Sequence, residues 1–241
     1  MGPVYFFPLP LPVEIIFPYP IIMNSIQVPF FENITIETSI ELASQLMETL
    51  TISSHDIDCL NWAEKFPDKP DVKFKIARIE DGILIKFYVK EDYTRATFTI
   101  DNQEVYKDSC VELFIDPSGD GTYYNFEFNA LGTLLLGYGA NRYNRESASL
   151  EITRQVKRLP TVGIIPSIMN FQNMPWNLTV IIPLTAFWQH ESISLEGKKI
   201  RANFQKCGED LPVPHYLSWN PILTPNPDYH QPAYFGTLDF I

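Results

Sequence analysis

From Val72 onward, apolar and polar residues alternate in short runs separated by Gly, Pro, Asn and Asp. The run VKFKIARI sets Val72, Phe74 and Ile76 against Lys73, Lys75 and Ala77. After Asp81 and Gly82 comes ILIKFYV. Two period-two runs around a turn signal predict a β-hairpin. CVELFID at Cys110 to Asp116, the turn PSGDG and YYNFEFNA at Tyr123 to Ala130 predict a second hairpin by the same reasoning. Further strands are expected at TLLLGYG after Gly132, LEITRQV from Leu150, TVGIIPSI from Thr161, WNLTVIIP from Trp176, KIRANFQKC from Lys199 and FGTLDFI from Phe235. Upstream, Ile40, Leu42, Ala43, Leu46, Met47 and Leu50 recur at helical spacing, which predicts one short peripheral helix over Ser39 to Leu50. Ser54 to Pro70 reads as loop. Many short strands with neither repeat nor linker predict an all-β fold, an antiparallel β-sandwich of jelly-roll or immunoglobulin-like plan, as one domain over residues 23–241.

Alternation also sorts the faces of each strand. Tyr124, Phe126 and Phe128 fall on a core face, with Asn125, Glu127 and Asn129 opposite. Val111, Leu113 and Ile115 oppose Glu112 and Asp116, while Ala202 and Phe204 oppose Arg201, Asn203 and Gln205. Half of any surface sheet is polar, so these faces read first as solvated. Their Asn, Gln, Glu and Arg content also suits sugar hydroxyls, which want planar groups that donate and accept at fixed angles beside an aromatic platform. Trp176 and Trp219 are expected in the core.

The formal net charge of -11 excludes the basic stripe that nucleic-acid phosphates require and disfavours an anionic membrane surface. A neutral ligand remains compatible. Cys59, Cys110 and Cys207 are widely spaced with no C-x-x-C pair, so they read as small core residues of a protein from a reducing compartment. Residues 1–22, MGPVYFFPLPLPVEIIFPYPII, are apolar but broken by prolines. They suit neither a helix nor a central strand, and they lack the basic start and small-residue cleavage site of a secretory signal. The expectation is that Met23 is the natural start, that residues 1–22 are a non-native or unstructured extension, and that the protein is cytoplasmic.

VYKDSCVELFIDP at Val105 to Pro117, YYNFEFN at Tyr123 to Asn129, the Asn203-Phe204-Gln205 strand and HYLSWNPILTPNPDYHQPAYFGTLDF at His215 to Phe240 together resemble family 9 carbohydrate-binding modules. The resemblance runs from about Lys73 to Ile241. It implies a β-sandwich, often attached to xylanases and other glycan-degrading enzymes, that grips the end of an oligosaccharide or polysaccharide between two aromatic rings. Tyr229 falls at one stacking position. The other falls at Val105, with Tyr106 the nearest aromatic. Glu112, Asn129 and Gln205 match polar positions of the family, whereas Glu127 stands where arginine is expected, so the ligand is expected to differ from glucose or cellobiose. Some members bind structural calcium, for which Asp116 and Asp120 in DPSGDG are the candidate ligands.

Two rival chemistries are open to the chain. A glycosidase needs two carboxyl groups about 5 to 10 Å apart, and Glu112 with Glu127 is the candidate pair. Haem in a related sandwich would take histidine and methionine ligands, here from His190, His215, His230, Met169 and Met174. A pure protein-interaction module would need an exposed apolar patch.

Overall fold

The computed structural model describes residues 22–162, 167–169 and 175–241. The expectation about the leader therefore falls outside the described residues except at Ile22, as do Met174 and residues 163–166 of the TVGIIPSI run. In chain order, β1 is Ser25–Val28, α1 Ile40–Thr49, β2 His55–Asp56, β3 Asp71–Ile79, β4 Gly82–Lys90, β5 Thr94–Ala96, β6 Cys110–Asp116, β7 Tyr123–Asn129 and β8 Leu134–Gly139. Then come β9 Glu146–Ser147, α2 Leu150–Thr153, β10 Lys157–Pro160, β11 Ser167–Met169, β12 Pro175–Pro183, β13 Lys199–Gly208, β14 His215–Ser218 and β15 Gly236–Phe240.

Both expected hairpins form. β3 pairs antiparallel with β4, and β6 with β7. The 117–121 turn closes because Gly119 and Gly121 take φ of 71° and 88°, a region that side chains disfavour. The larger sheet runs β1-β15-β13-β6-β7-β8-β9, with β14 also pairing β13; the smaller runs β10-β12-β4-β3-β2. Pairing is antiparallel except that β1 lies parallel to β15. β5 and β11 form a separate two-stranded sheet.

The inner faces of the two sheets meet in one core. Phe74 of β3 stacks on Phe204 of β13 with ring centroids 3.7 Å apart, and Trp219 sets its edge against both. Phe87, Leu113, Phe126, Phe128 and Trp176 fill the rest. Each such side chain contributes about 1.5–3 kcal/mol on burial, so the two tryptophans serve packing, as the alternation predicts.

The outer face of the smaller sheet is covered by α1. Ser39 caps the helix by accepting from the Leu42 N–H. Ala43 and Met47, one turn apart, pack on Ala77, Ile79, Leu84 and Ile181. Lys75 donates to the Met47 carbonyl at 2.7 Å and Lys86 to Ser44 Oγ at 2.8 Å, so lysines that read as solvent-facing instead fasten the helix.

One expected strand is corrected. LEITRQV begins as the single helical turn α2, because Ser149 caps the Ile152 N–H and Thr153 bonds back to the Leu150 carbonyl. Extended backbone resumes only at Lys157.

Candidate functional site

The outer face of the larger sheet is not solvated. Loops carrying Trp62, Val105, Ile222, Tyr229 and Phe235 fold over it and form a second apolar cluster with Cys110, Phe114, Tyr123 and Cys207. Beneath them, strand register lines up the polar residues in rows. Gln205 of β13 faces Glu112 of β6, Glu112 faces Glu127 of β7, and Glu127 faces Leu135 of β8. The next row is Asn203, Phe114, Asn125 and Gly137. On the other side lie Cys207, Cys110 and Asn129.

A cavity of about 230 Å³ opens over this floor. Glu112, Glu127, Asn125, Leu135 and Cys207 line its base, Tyr106, Tyr216 and Tyr229 its walls, and Arg142, Arg145, Glu209, Asp228 and His230 its rim. Asn125 donates to Glu127 Oε1 at 2.8 Å, and Arg145 Nε donates to Asn125 Oδ1 at 2.9 Å. Cys207 Sγ donates to Glu112 Oε1 at 3.1 Å. The second carboxyl oxygen of Glu112, that of Glu127, and both amide atoms of Gln205 are buried without a partner. A group that has lost water and gained nothing in exchange costs about 1–3 kcal/mol, which is the mark of a surface finished by a ligand.

Burial sets the protonation of the floor. It pushes Glu127 up to about 7, against the lowering effect of Asn125 and Arg145, and raises Glu112 well above the carboxylate range, with Cys207 and Glu127 adding to it. Burial and the two arginines, Arg145 and Arg142, hold His230 down at about 3, so its imidazole is neutral. Its Nδ1 sits 2.8 Å from the Tyr123 hydroxyl.

Four of the expected residues, Tyr106, Glu112, Glu127 and Tyr229, therefore line one cavity. Gln205 lies beside Glu112 in the same row but is fully buried. Asn129 is a correction. Its Nδ2 donates to the Phe98 carbonyl and to Asp108, and its Oδ1 accepts from the Leu131 and Thr133 N–H groups, so both hydrogens and both lone pairs are spent inside the protein. Tyr229, at the expected stacking position, is itself packed into the cavity wall. It is 9% exposed, packs beside Trp62 and Tyr216, and donates its hydroxyl to the Lys206 carbonyl at 2.9 Å. Val105 is wholly buried.

Asp116 accepts from the Gly119 and Gly121 N–H groups with its two oxygens, and Asp120 accepts from Thr122. No third carboxylate, imidazole or thiol joins them among the described residues. The pair fits the turn that it builds and not a calcium cage.

His190 bonds Ser118 and Tyr124, His215 bonds Lys206 and Asp68, and His230 bonds Tyr123, so the three imidazoles sit in three separate networks and do not converge. Met169 is described only by its backbone. Glu112 and Glu127 stand side by side on one floor, whereas a glycosidase sets its carboxyls on either side of the scissile bond.

Sequence reasoning missed Tyr216, Arg142, Glu209, Asp228 and Cys207. Alternation reveals which face a strand residue takes, but Arg142 and Asp228 come from loops whose path over the sheet has no periodic signature.

A two-sheet sandwich with a polar, aromatic-walled pocket over an outer face has the build of a ligand-binding module. The chain belongs to carbohydrate-binding family 9, whose family model matches residues 41–240. Among solved structures it is similar to a candidate carbohydrate-binding protein from Bacteroides uniformis, with 40% identity, a TM-score of 0.84, and coverage of 90% of this chain and 99% of that one. A family 9 carbohydrate-binding module from Caldicellulosiruptor kristjanssonii, solved with glucose, shares the fold at 12% identity with a TM-score of 0.52, covering 90% of this chain and 96% of that one. Its cellotriose complex gives 10% identity and a TM-score of 0.51, with 90% and 93% covered. A search of curated proteins gave no match. Among the described residues, no helix is long and apolar enough to cross a membrane.

Proposed function

We propose that the chain binds the end of an oligosaccharide or polysaccharide in the cavity over Glu112 and Glu127, without cutting it, and that it serves carbohydrate breakdown. The observation that carries this reading is the set of buried, unpartnered carboxyl and amide atoms in the floor row beneath three tyrosines. Sugar hydroxyls in the cavity would meet the carboxyls of Glu112 and Glu127, which line it, while Gln205 lies beside them outside the lining. The protonated carboxyls of Glu112 and Glu127 offer both a donor and an acceptor, as hydroxyl pairs require, and Tyr106 and Tyr216, each half-buried, offer ring faces to the sugar C–H groups. The enclosed volume suits a chain end more than a long segment lying across the sheet. Family membership and the bound glucose and cellotriose of the C. kristjanssonii module support the ligand class.

A glycan array followed by calorimetry on the best ligand tests the proposal. Binding at one site is expected, weakened about fivefold or more in Tyr216→Ala, because an aromatic contact is worth on the order of 1 kcal/mol. A folded protein that binds no glycan on the array, or one that releases reducing sugar from its ligand, would overturn it.

A further inference from the structure

Cys110 and Cys207 are far apart in the chain but face each other across β6 and β13. Glu112 lies two residues beyond Cys110 on the same strand, so it shares their face. The two sulfurs and a carboxyl oxygen of Glu112 all lie within 4.8 Å of one another, and among the described residues this is the one group of three ligating side chains gathered so closely. All three residues are buried. A second, independent observation points to a ligand: the other oxygen of Glu112 is buried with no partner. Cys207 and Glu112 also line the cavity, so an ion has a route in from solvent.

We propose that Cys110, Cys207 and Glu112 form a three-ligand site for a zinc-type divalent cation at the floor of the cavity. Zinc takes thiolate sulfur at ~2.3 Å and carboxylate oxygen at ~2.0–2.2 Å in a tetrahedron, which places ligand atoms roughly 3.3–3.8 Å apart. The side chains need to close by about 1.5 Å at most to reach that geometry. Two thiolates and one carboxylate fill three positions, and the fourth is left on the side of the cavity. Calcium and magnesium, which want six or more oxygens, do not suit two sulfurs.

Binding is an exchange of protons for the ion, with no change of oxidation state. Each thiol loses its S–H proton to solvent, Glu112 loses its proton where it carries one, and the Cys207 to Glu112 hydrogen bond gives way to two bonds to the metal. Burial raises both thiols, Cys110 to about 12 and Cys207 well above its ordinary value, and the Lys206 ammonium offsets this only in part, so the ion has to displace both protons. This site does not rest on the carbohydrate reading, although both use Glu112, whose carboxyl binds the ion in place of a sugar hydroxyl when the metal is present; it turns two cysteines that the sequence presents as core filler into ligands.

The test uses the full chain, reduced with a phosphine, and the metal ions alone. One equivalent of Cd²⁺ is expected to raise an ultraviolet thiolate-to-metal band, which Zn²⁺ then competes away. Cys59→Ser, which removes a thiol outside the cluster, should keep the band. Cys110→Ser and Cys207→Ser should lose it, and Glu112→Gln should weaken binding at least tenfold. Should a serine variant fail to fold, zinc X-ray absorption on the wild-type protein carries the test, with two sulfur neighbours expected. No band at stoichiometric or excess Cd²⁺ in folded protein, a band that survives in folded Cys110→Ser, or a zinc shell with fewer than two sulfurs overturns the proposal.

Discussion

Glu112 and Glu127 face each other on neighbouring strands at the base of the cavity, both buried, and each keeps one carboxyl oxygen without a partner. Like-charged groups opposite one another in a sheet destabilise it when both are ionised. The fold tolerates the pair because burial holds protons on it.

That relationship fixes a pH dependence. An unfolded glutamate titrates near 4.5, whereas folded Glu127 holds its proton to about 7. Below 4.5 both states are protonated and nothing is lost. Between 4.5 and 7 the unfolded chain has ionised and the folded one has not, so stability falls as pH rises, by roughly 3 kcal/mol in all. His55, His215 and His230 are shifted down and act oppositely, losing stability as pH falls below their unfolded value. The check is therefore a difference. Glu127→Gln keeps the acceptor for Asn125, and its stability relative to wild type by chemical denaturation should rise between pH 4.5 and 8. A difference that does not change with pH removes the claim.

Tyr229 couples the cavity wall to the fold. Replacing a buried ring by alanine costs about 3–5 kcal/mol, so Tyr229→Ala should lower Tm as well as affinity. Tyr229→Phe keeps the ring but strands the Lys206 carbonyl, at about 1 kcal/mol. Thermal melts of the two variants separate the ring from the hydroxyl. An Ala variant as stable as wild type would show that the ring is not packed as described.

How much of this was legible in the sequence follows from which signals are local. The two hairpins, the core faces of β6, β7 and β13, and α1 were readable, because alternation and helical spacing are properties of neighbouring residues. Whether Asn125, Glu127 and Gln205 face water was not, since that depends on loops from Trp62, Tyr106 and Tyr229 closing over them. LEITRQV misled because Leu150, Ile152 and Val156 fit an alternating strand, while Ser149 diverts the first turn into a helix. Asn129 sits on the same face as Glu127, and only its bonds to Asp108 and Phe98 reveal that it braces the sheet.

Excess chelator such as EGTA is expected to leave Tm unchanged. Asp116 and Asp120 already bond the N–H groups of their own turn, so the turn closes without help from an ion, whereas a calcium bound only to the native state would stabilise it by mass action. A drop in Tm that added Ca²⁺ restores would reinstate the ion.

Asn129 and Arg142 should separate fold from binding in opposite directions. Removing the Asn129 amide leaves the Leu131 and Thr133 N–H groups without a partner at one point, while the Phe98 carbonyl keeps the Thr133 hydroxyl and Asp108 keeps Arg95, Thr97 and Phe98. Unsatisfied groups cost about 1–3 kcal/mol apiece before relaxation, so Asn129→Ala should lose several kcal/mol of stability. Any loss of affinity should then follow the loss of folded protein. Arg142 is exposed on the loop between β8 and β9, lines the cavity, and makes no side-chain hydrogen bond or ion pair among the described residues. Nothing in the fold leans on it, so Arg142→Ala should leave stability within about 0.5 kcal/mol. Its guanidinium donors, however, stand where a sugar hydroxyl or ring oxygen would meet them, and losing such a bond is worth about 1 kcal/mol, or roughly a fivefold weaker Kd. Thermal melts and calorimetry on both variants give the four numbers. An Asn129→Ala protein that melts like wild type yet binds poorly, or an Arg142→Ala protein that binds unchanged, would reverse the assignment of that residue.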